Sequence, residues 1–428
     1  MLTTQATGPA DAAVDVLPDT TMQSEPTTAI ATGAYLQLQK HRDPTGALVL
    51  AHDRLLFIDN LRSMLTILVV LHHLAITYGA VGSWYYTERP ADSASVIGLS
   101  IVVALNQGYF MGLFFFIAGY FVPGAYDRKG EASFIKDRCV RLGVPLLIFT
   151  LVVSPVLEYV KVLQGGEPPA FWSFTIDRWR ELNFAPGPLW FLEVLLVLSV
   201  VYSLGRRLAD RLGMGPIHQE TAWIQEPLTN IRVLIFVLGL AAVSFVVRIV
   251  CPLGGEWNHL ELAFFPQYIG LFLAGVAAYR QDWLPDVPRA VARRWTMVAV
   301  IAILAFPVVL LAGNAFTDAT PFSGGLHWQS LLASTWEACY AAGMCITLLS
   351  VFRRRFDSQG KLARVLSMNA YTVYLIHAPV IVALAYTLSG VTVSALLKFA
   401  LVAPLAVGLC FVLSHFGVRR LPRATSIV

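Results

Sequence analysis

The sequence has little charge. Only 14% of its 428 residues are Asp, Glu, Lys or Arg, and 56% are hydrophobic. Soluble chains carry about 25% charged residues, and one soluble core stops growing near roughly 250–300 residues. So many apolar side chains need lipid to face. Cysteine is scarce as well. The five thiols, Cys139, Cys251, Cys339, Cys345 and Cys410, form no CxxC or Cys/His spacing, which argues against a zinc site or redox pair. They read as small packing hydrophobes. No metal and no nucleic-acid partner is expected. No lysine or arginine precedes Lys40 and no apolar run accompanies the early residues, so no secretory signal is expected there. Residues 1–53, polar and rich in Thr, Ala and Pro, are expected to be a flexible cytosolic tail. No internal repeat or inverted pair of interrupted helices favours a transporter fold.

What the chain does have is long apolar runs. A helix needs about 20 residues to cross the hydrocarbon layer. Hydropathy places spans near Leu56–Gly79, Val96–Val122, Val144–Leu163, Pro188–Leu204 and Ile231–Cys251. Five more follow near Ala263–Tyr279, Trp295–Gly313, Ser330–Val351, Ser367–Leu388 and Val391–Phe416. The expected fold class is all-α, a polytopic bundle of about ten transmembrane helices. The bundle is expected over residues 54–416, with a C-terminal tail over 417–428.

Charge placement tests that count. With both termini in the cytosol, the inner loops and C-terminal tail carry twenty lysines and arginines and the outer loops three. Such an asymmetry follows the positive-inside rule, and a missed span would scramble it. The expected location is the bacterial cytoplasmic membrane. Outer-loop aromatics such as Trp84, Tyr85, Tyr86, Trp172, Trp257 and Trp328 read mostly as an interfacial belt.

Ionisable groups inside lipid are costly and mark functional sites. The first span is densest, with Asp59, Arg62, His72 and His73. Eleven residues at 100° each return within about 20° of the start, so Arg62 and His73 share a face, separated by about 16 Å along the axis. His72 falls about 80° off that face. Asp59 is one turn before Arg62 and can pair with it. Histidine suits proton transfer near neutral pH. A purely structural role for these groups, anchoring a helix end or bonding a neighbour, is the plainer alternative. In the ninth span, His377 follows Tyr374 by one turn, and Pro379 frees the Leu375 carbonyl. Glu193 lies one turn from Trp190 in the fourth span. Arg248, Glu337, Glu158 and Lys398 are given no role beyond pairing.

Five stretches, in order, carry a resemblance. They are Arg62 with His73 eleven residues on, then Phe115-Phe116-Ile117-Ala118-Gly119-Tyr120 and Phe134–Pro145 with Arg138 and Arg141. Pro188-Leu189-Trp190-Phe191-Leu192 and Ser367–His377 complete the set. Together they resemble the acyltransferase 3 family of membrane acyltransferases across about residues 54–416. Ala118 stands where that family often has serine, and Glu193 is followed by Val-Leu-Leu, which points to the glucan-, sugar- and metabolite-modifying branches. No extracytosolic catalytic domain is expected after the tenth span.

The resemblance implies transfer of a short acyl group, chiefly acetyl, from cytosolic acyl-CoA to a hydroxyl of a glycan or small metabolite. No permanently bound cofactor is implied; acyl-CoA is a substrate. Arg138 and Arg141, three apart on one helical face, suit phosphate recognition because guanidinium forks bind phosphate oxygens in pairs. Arg62 would hold a CoA phosphate or polarise the thioester carbonyl. His73 would take the acceptor's proton. His377, Tyr374, Glu193 and Trp190 are candidate substrate contacts. The rival reading is a secondary transporter or exporter using the same intramembrane charges, for which a CoA-binding arginine pair has no purpose.

Overall fold

The computed structural model describes residues 41–42, 48–49 and 55–420, except 89, 91, 167, 214–225, 286 and 316. The chain divides into two units, residues 1–54 and 55–428. In the first, His41–Arg42 pairs antiparallel with Leu48–Val49. The rest of the expected N-terminal tail, and the C-terminal tail beyond Arg420, lie outside the described residues.

The second unit contains ten helical spans long and apolar enough to cross a membrane. They are span 1, Leu56–Thr77; span 2, Ser93–Lys129; span 3, Glu131–Leu163; span 4, Gly187–Arg211; and span 5, Asn230–Val250. Span 6, Leu262–Arg280; span 7, Arg289–Ala312; span 8, Trp328–Arg355; span 9, Lys361–Thr387; and span 10, Ala395–Arg420, follow. Every span read from hydropathy has its counterpart. The helices overrun the apolar stretches, because a helix continues into the polar layer wherever its residues tolerate it. Span 10 thus reaches four residues past the expected boundary at 416.

One end of the bundle is basic. Span 2 ends on Arg128 and Lys129, span 4 on Arg211, span 6 on Arg280 and span 8 on Arg353, Arg354 and Arg355. Side chains bolt this end together. Asp127 takes Arg206 at 3.0 Å and Arg280 at 3.1 Å, joining spans 2, 4 and 6. Asn60 donates to the carbonyls of Phe356 and Ser358, tying the start of span 1 to the end of span 8. Arg419 donates to the Met368 carbonyl, tying span 10 to span 9.

Spans 2 and 6 meet backbone to backbone. A Cβ on Gly119 would stand 2.1 Å from the Phe272 carbonyl oxygen, and one on Gly275 2.1 Å from that of Phe116. Only glycine fits at either position, which accounts for the glycine in the Phe115–Tyr120 stretch. Span 2 breaks at Gly108–Tyr109, between helical pieces Ser93–Gln107 and Phe110–Lys129. Broken helices survive in a membrane only when neighbours satisfy the freed groups. Gln267 of span 6 does so, donating to the Gly108 carbonyl at 2.8 Å.

Span 3 widens twice into π-helix, at Cys139–Gly143 and Phe149–Val153. Proline causes each change. Pro145 and Pro155 have no N–H to offer the carbonyls four residues earlier, Arg141 and Leu151. The expected single α-helical face for Arg138 and Arg141 is therefore replaced by a wider turn.

Candidate active site

His73 and His377 meet, although 304 residues separate them. Span 1 brings one imidazole and span 9 the other, and His377 Nε2 lies 3.1 Å from His73 Nδ1. His377 Nδ1 lies 2.6 Å from the carbonyl oxygen of Tyr374. The Tyr374 hydroxyl donates to the Pro188 carbonyl at the start of span 4, and its ring stacks on His377. His377 is fully buried; His73 is half-buried. The ninth helix begins at Lys361, six residues before the expected start. His377 therefore lies about 24 Å from its basic end, past the midpoint.

A strap closes this side. Residues 78–88 follow span 1 and carry Trp84, whose ring stacks on His73 with centroids 4.1 Å apart and planes at 19°. Trp84, Tyr85 and Tyr86 are buried, so these three are not belt residues. Trp172 at 69% exposed and Trp257 at 67% fit a belt. The indole Nε1 of Trp84 has no partner among the described residues. Lys398 of span 10, itself buried, grips the strap through both Glu88 carboxylate oxygens, at 2.9 and 2.7 Å. Sequence reading missed Trp84 as a site residue, because a loop aromatic has no periodicity to reveal its target.

His72 is set apart, as its angular offset predicted. It is buried, 3.3 Å from the Asn106 side chain and stacked on Phe110. Asn106 lies in the helical piece of span 2 that ends just before the break.

The arginines lie toward the basic end. Arg62 approaches Asp59 at 3.9 Å and is 44% exposed. Arg141 is bound through Nε to Asp137 at 3.3 Å and is 56% exposed, and Asp137 also takes Lys129. The Tyr371 hydroxyl donates to the Arg141 carbonyl, the one that Pro145 leaves without an N–H. That bond ties span 9 to the widened turn of span 3. Tyr371 lies within the Ser367–His377 stretch, but its target is not readable from sequence. Arg138 has a different setting. It lies over the Phe134 ring at 5.1 Å, and its Nε is enclosed without a partner among the described residues. Tyr371, bonded at Arg141, precedes His377 by six residues, about 9 Å along span 9, and Arg62 lies about 16 Å from His73 along span 1.

Glu193 and Trp190 stand apart from the histidines. Glu193 pairs with His259 of the 251–261 loop at 2.9 Å. Trp190 packs on Tyr268 at 5.2 Å between centroids. The structure brings Arg62, Arg141, His73, His377 and Tyr374 onto spans 1, 3 and 9, and leaves Glu193 with a structural partner. Arg248 and Glu337 pair with each other and Lys398 pairs with Glu88, as their expected pairing roles require. All five cysteines are free thiols.

Comparison with known proteins places the chain in a family. Glucans biosynthesis protein C of Salmonella schwarzengrund is 23% identical over 340 residues, covering 76% of this chain and 81% of the relative. Its counterpart from Salmonella gallinarum is 24% identical over 337 residues, with the same coverage of each. That from Salmonella typhi is 23% identical over 340 residues, again covering 76% and 81%. No solved structure matches the chain. Residues 55–415 match the acyltransferase 3 family, described as an acyltransferase domain. That match spans the whole bundle and sets the exporter reading aside. The chain belongs to the acyltransferase 3 family and is a multi-pass membrane acyltransferase.

Proposed function

We propose that the chain moves an acetyl or other short acyl group from cytosolic acyl-CoA to a hydroxyl of a glycan, with a glucan the first candidate and a hydroxylated metabolite the next. The carrying observation is the His73–His377 pair, 3.1 Å apart inside the bundle, with arginines displaced toward the basic end. The relatives' name, glucans biosynthesis protein C, supports a glucan acceptor. The basic end would face the cytosol of the bacterial cytoplasmic membrane, with both termini there.

In this reading CoA enters from the basic end. Arg138 and Arg141 hold its phosphates, and the exposure of Arg141 leaves it open to a ligand. Arg62 holds a phosphate or polarises the thioester carbonyl. His73 removes the acceptor's proton as its oxygen attacks that carbonyl. The tetrahedral adduct then expels CoA sulfur, which takes the proton back from His73. A thioester is already activated, so alignment of the two substrates supplies much of the rate. No protein nucleophile is needed.

The test is release of CoA thiol from acetyl-CoA by protein purified into liposomes, with and without a linear or cyclic glucan. Release that rises with glucan, together with acylated glucan by mass spectrometry, is the expected result. No release across short acyl donors and a panel of glycans and hydroxylated metabolites would overturn the reading.

A further inference from the structure

Hydrogen-bond polarity decides which nitrogen of His73 is available. A neutral imidazole has one N–H and one bare nitrogen, and a carbonyl oxygen can only accept. His377 Nδ1 lies 2.6 Å from the Tyr374 carbonyl oxygen, so Nδ1 carries the proton. Nε2 of His377 is then bare. His73 Nδ1, 3.1 Å away, must donate to it. The bare nitrogen left on His73 is Nε2.

We infer that His377 is a positioning residue that fixes His73 as its Nδ1–H tautomer and thereby presents Nε2 as the base. This rests on the proposed acyl transfer, and it replaces the expected role of His377 as a substrate contact. The wrong tautomer would put an N–H where the acceptor's proton must go. When Nε2 takes that proton, the Nδ1–H···Nε2 bond to His377 strengthens, because its donor has become cationic. The proton leaves again from Nε2 to CoA sulfur, so His377 itself exchanges none. His72 has no part in the chain. Its ring meets His73 edge-on at 5.4 Å between centroids, and its Nδ1 faces Asn106.

The test compares His377→Ala, His377→Gln and His377→Asn in the full-length protein, with CoA release from acetyl-CoA as the assay. A glutamine amide oxygen reaches the place of Nε2, and an asparagine side chain reaches only that of Nδ1. His377→Ala is expected to lower kcat about 100-fold, as loss of an orienting partner does, with KM for donor and acceptor unchanged. Gln should restore most of that loss and Asn little. In 15N-histidine NMR of the wild type in nanodiscs, His73 should be protonated at Nδ1. A wild-type His73 protonated at Nε2 would overturn the inference, as would a His377→Ala variant with full kcat or with only KM raised. The companion His73→Ala separates the failures. If it is inactive while His377→Ala is fully active, only the positioning role falls. If His73→Ala is itself active, the underlying role of His73 falls with it.

Discussion

Spans 1 and 9 and span 7 are helices of similar length, 22, 27 and 24 residues, and all are apolar, yet the bundle treats them differently. Spans 1 and 9 each bury 61% of their most apolar stretch, and span 7 buries 17%. The central pair carries charge and imidazole at Asp59, Arg62, His73 and His377. Span 7 meets lipid with residues such as Leu304 and Val308, 68% and 61% exposed. A polar group in lipid is tolerated only when protein surrounds it. The helices that hold the candidate site are therefore those that other helices enclose, and peripheral helices supply the enclosure.

The largest way to sharpen this contrast is at His73. His73→Ala should lower kcat by about 10³-fold without lowering the melting temperature. The check is steady-state CoA release beside thermal denaturation. The reverse pattern is expected at the periphery. Arg248 of span 5 is fully buried and bonded to Glu337 of span 8. Arg248→Ala would strand a buried carboxylate and cost about 3 kcal/mol of stability, seen as a lower denaturation midpoint, while the KM of surviving enzyme stays the same. Arg141→Ala should raise KM for acyl-CoA about 10-fold at constant kcat, the size of one charge-assisted contact. Titration of rate against donor concentration measures it. Val308→Ala on span 7 should change stability by less than about 0.5 kcal/mol and leave the rate alone. A large loss of rate there would break the division between centre and periphery.

The sequence carried the parts of this arrangement that have a period. Ten spans were legible because each is a long apolar run bounded by basic residues. Arg62 and His73 were legible because eleven residues return to one helix face. The meeting of His73 with His377 was not, since it depends on how spans 1 and 9 pack across 304 residues of chain. Trp84 was hidden for a related reason. It lies in a strap whose course is set by Lys398 gripping Glu88, 310 residues apart. Pro145 was plain in the sequence, but its consequence was not. The freed Arg141 carbonyl finds the Tyr371 hydroxyl only in the folded bundle. Glu193 was legible beside Trp190, but its partner, His259, was not, because it sits in a loop that hydropathy reads only as polar.

The proposed transfer has a direction, with the donor at the arginine end and the reaction at the histidine pair. Proteoliposomes sorted into single orientations by capture through a C-terminal tag, and given acyl-CoA on one side only, test it most directly. Molecules whose basic end faces the donor should release CoA, and those facing away should release none. Equal release from both orientations, or release only from the opposite one, would contradict the account.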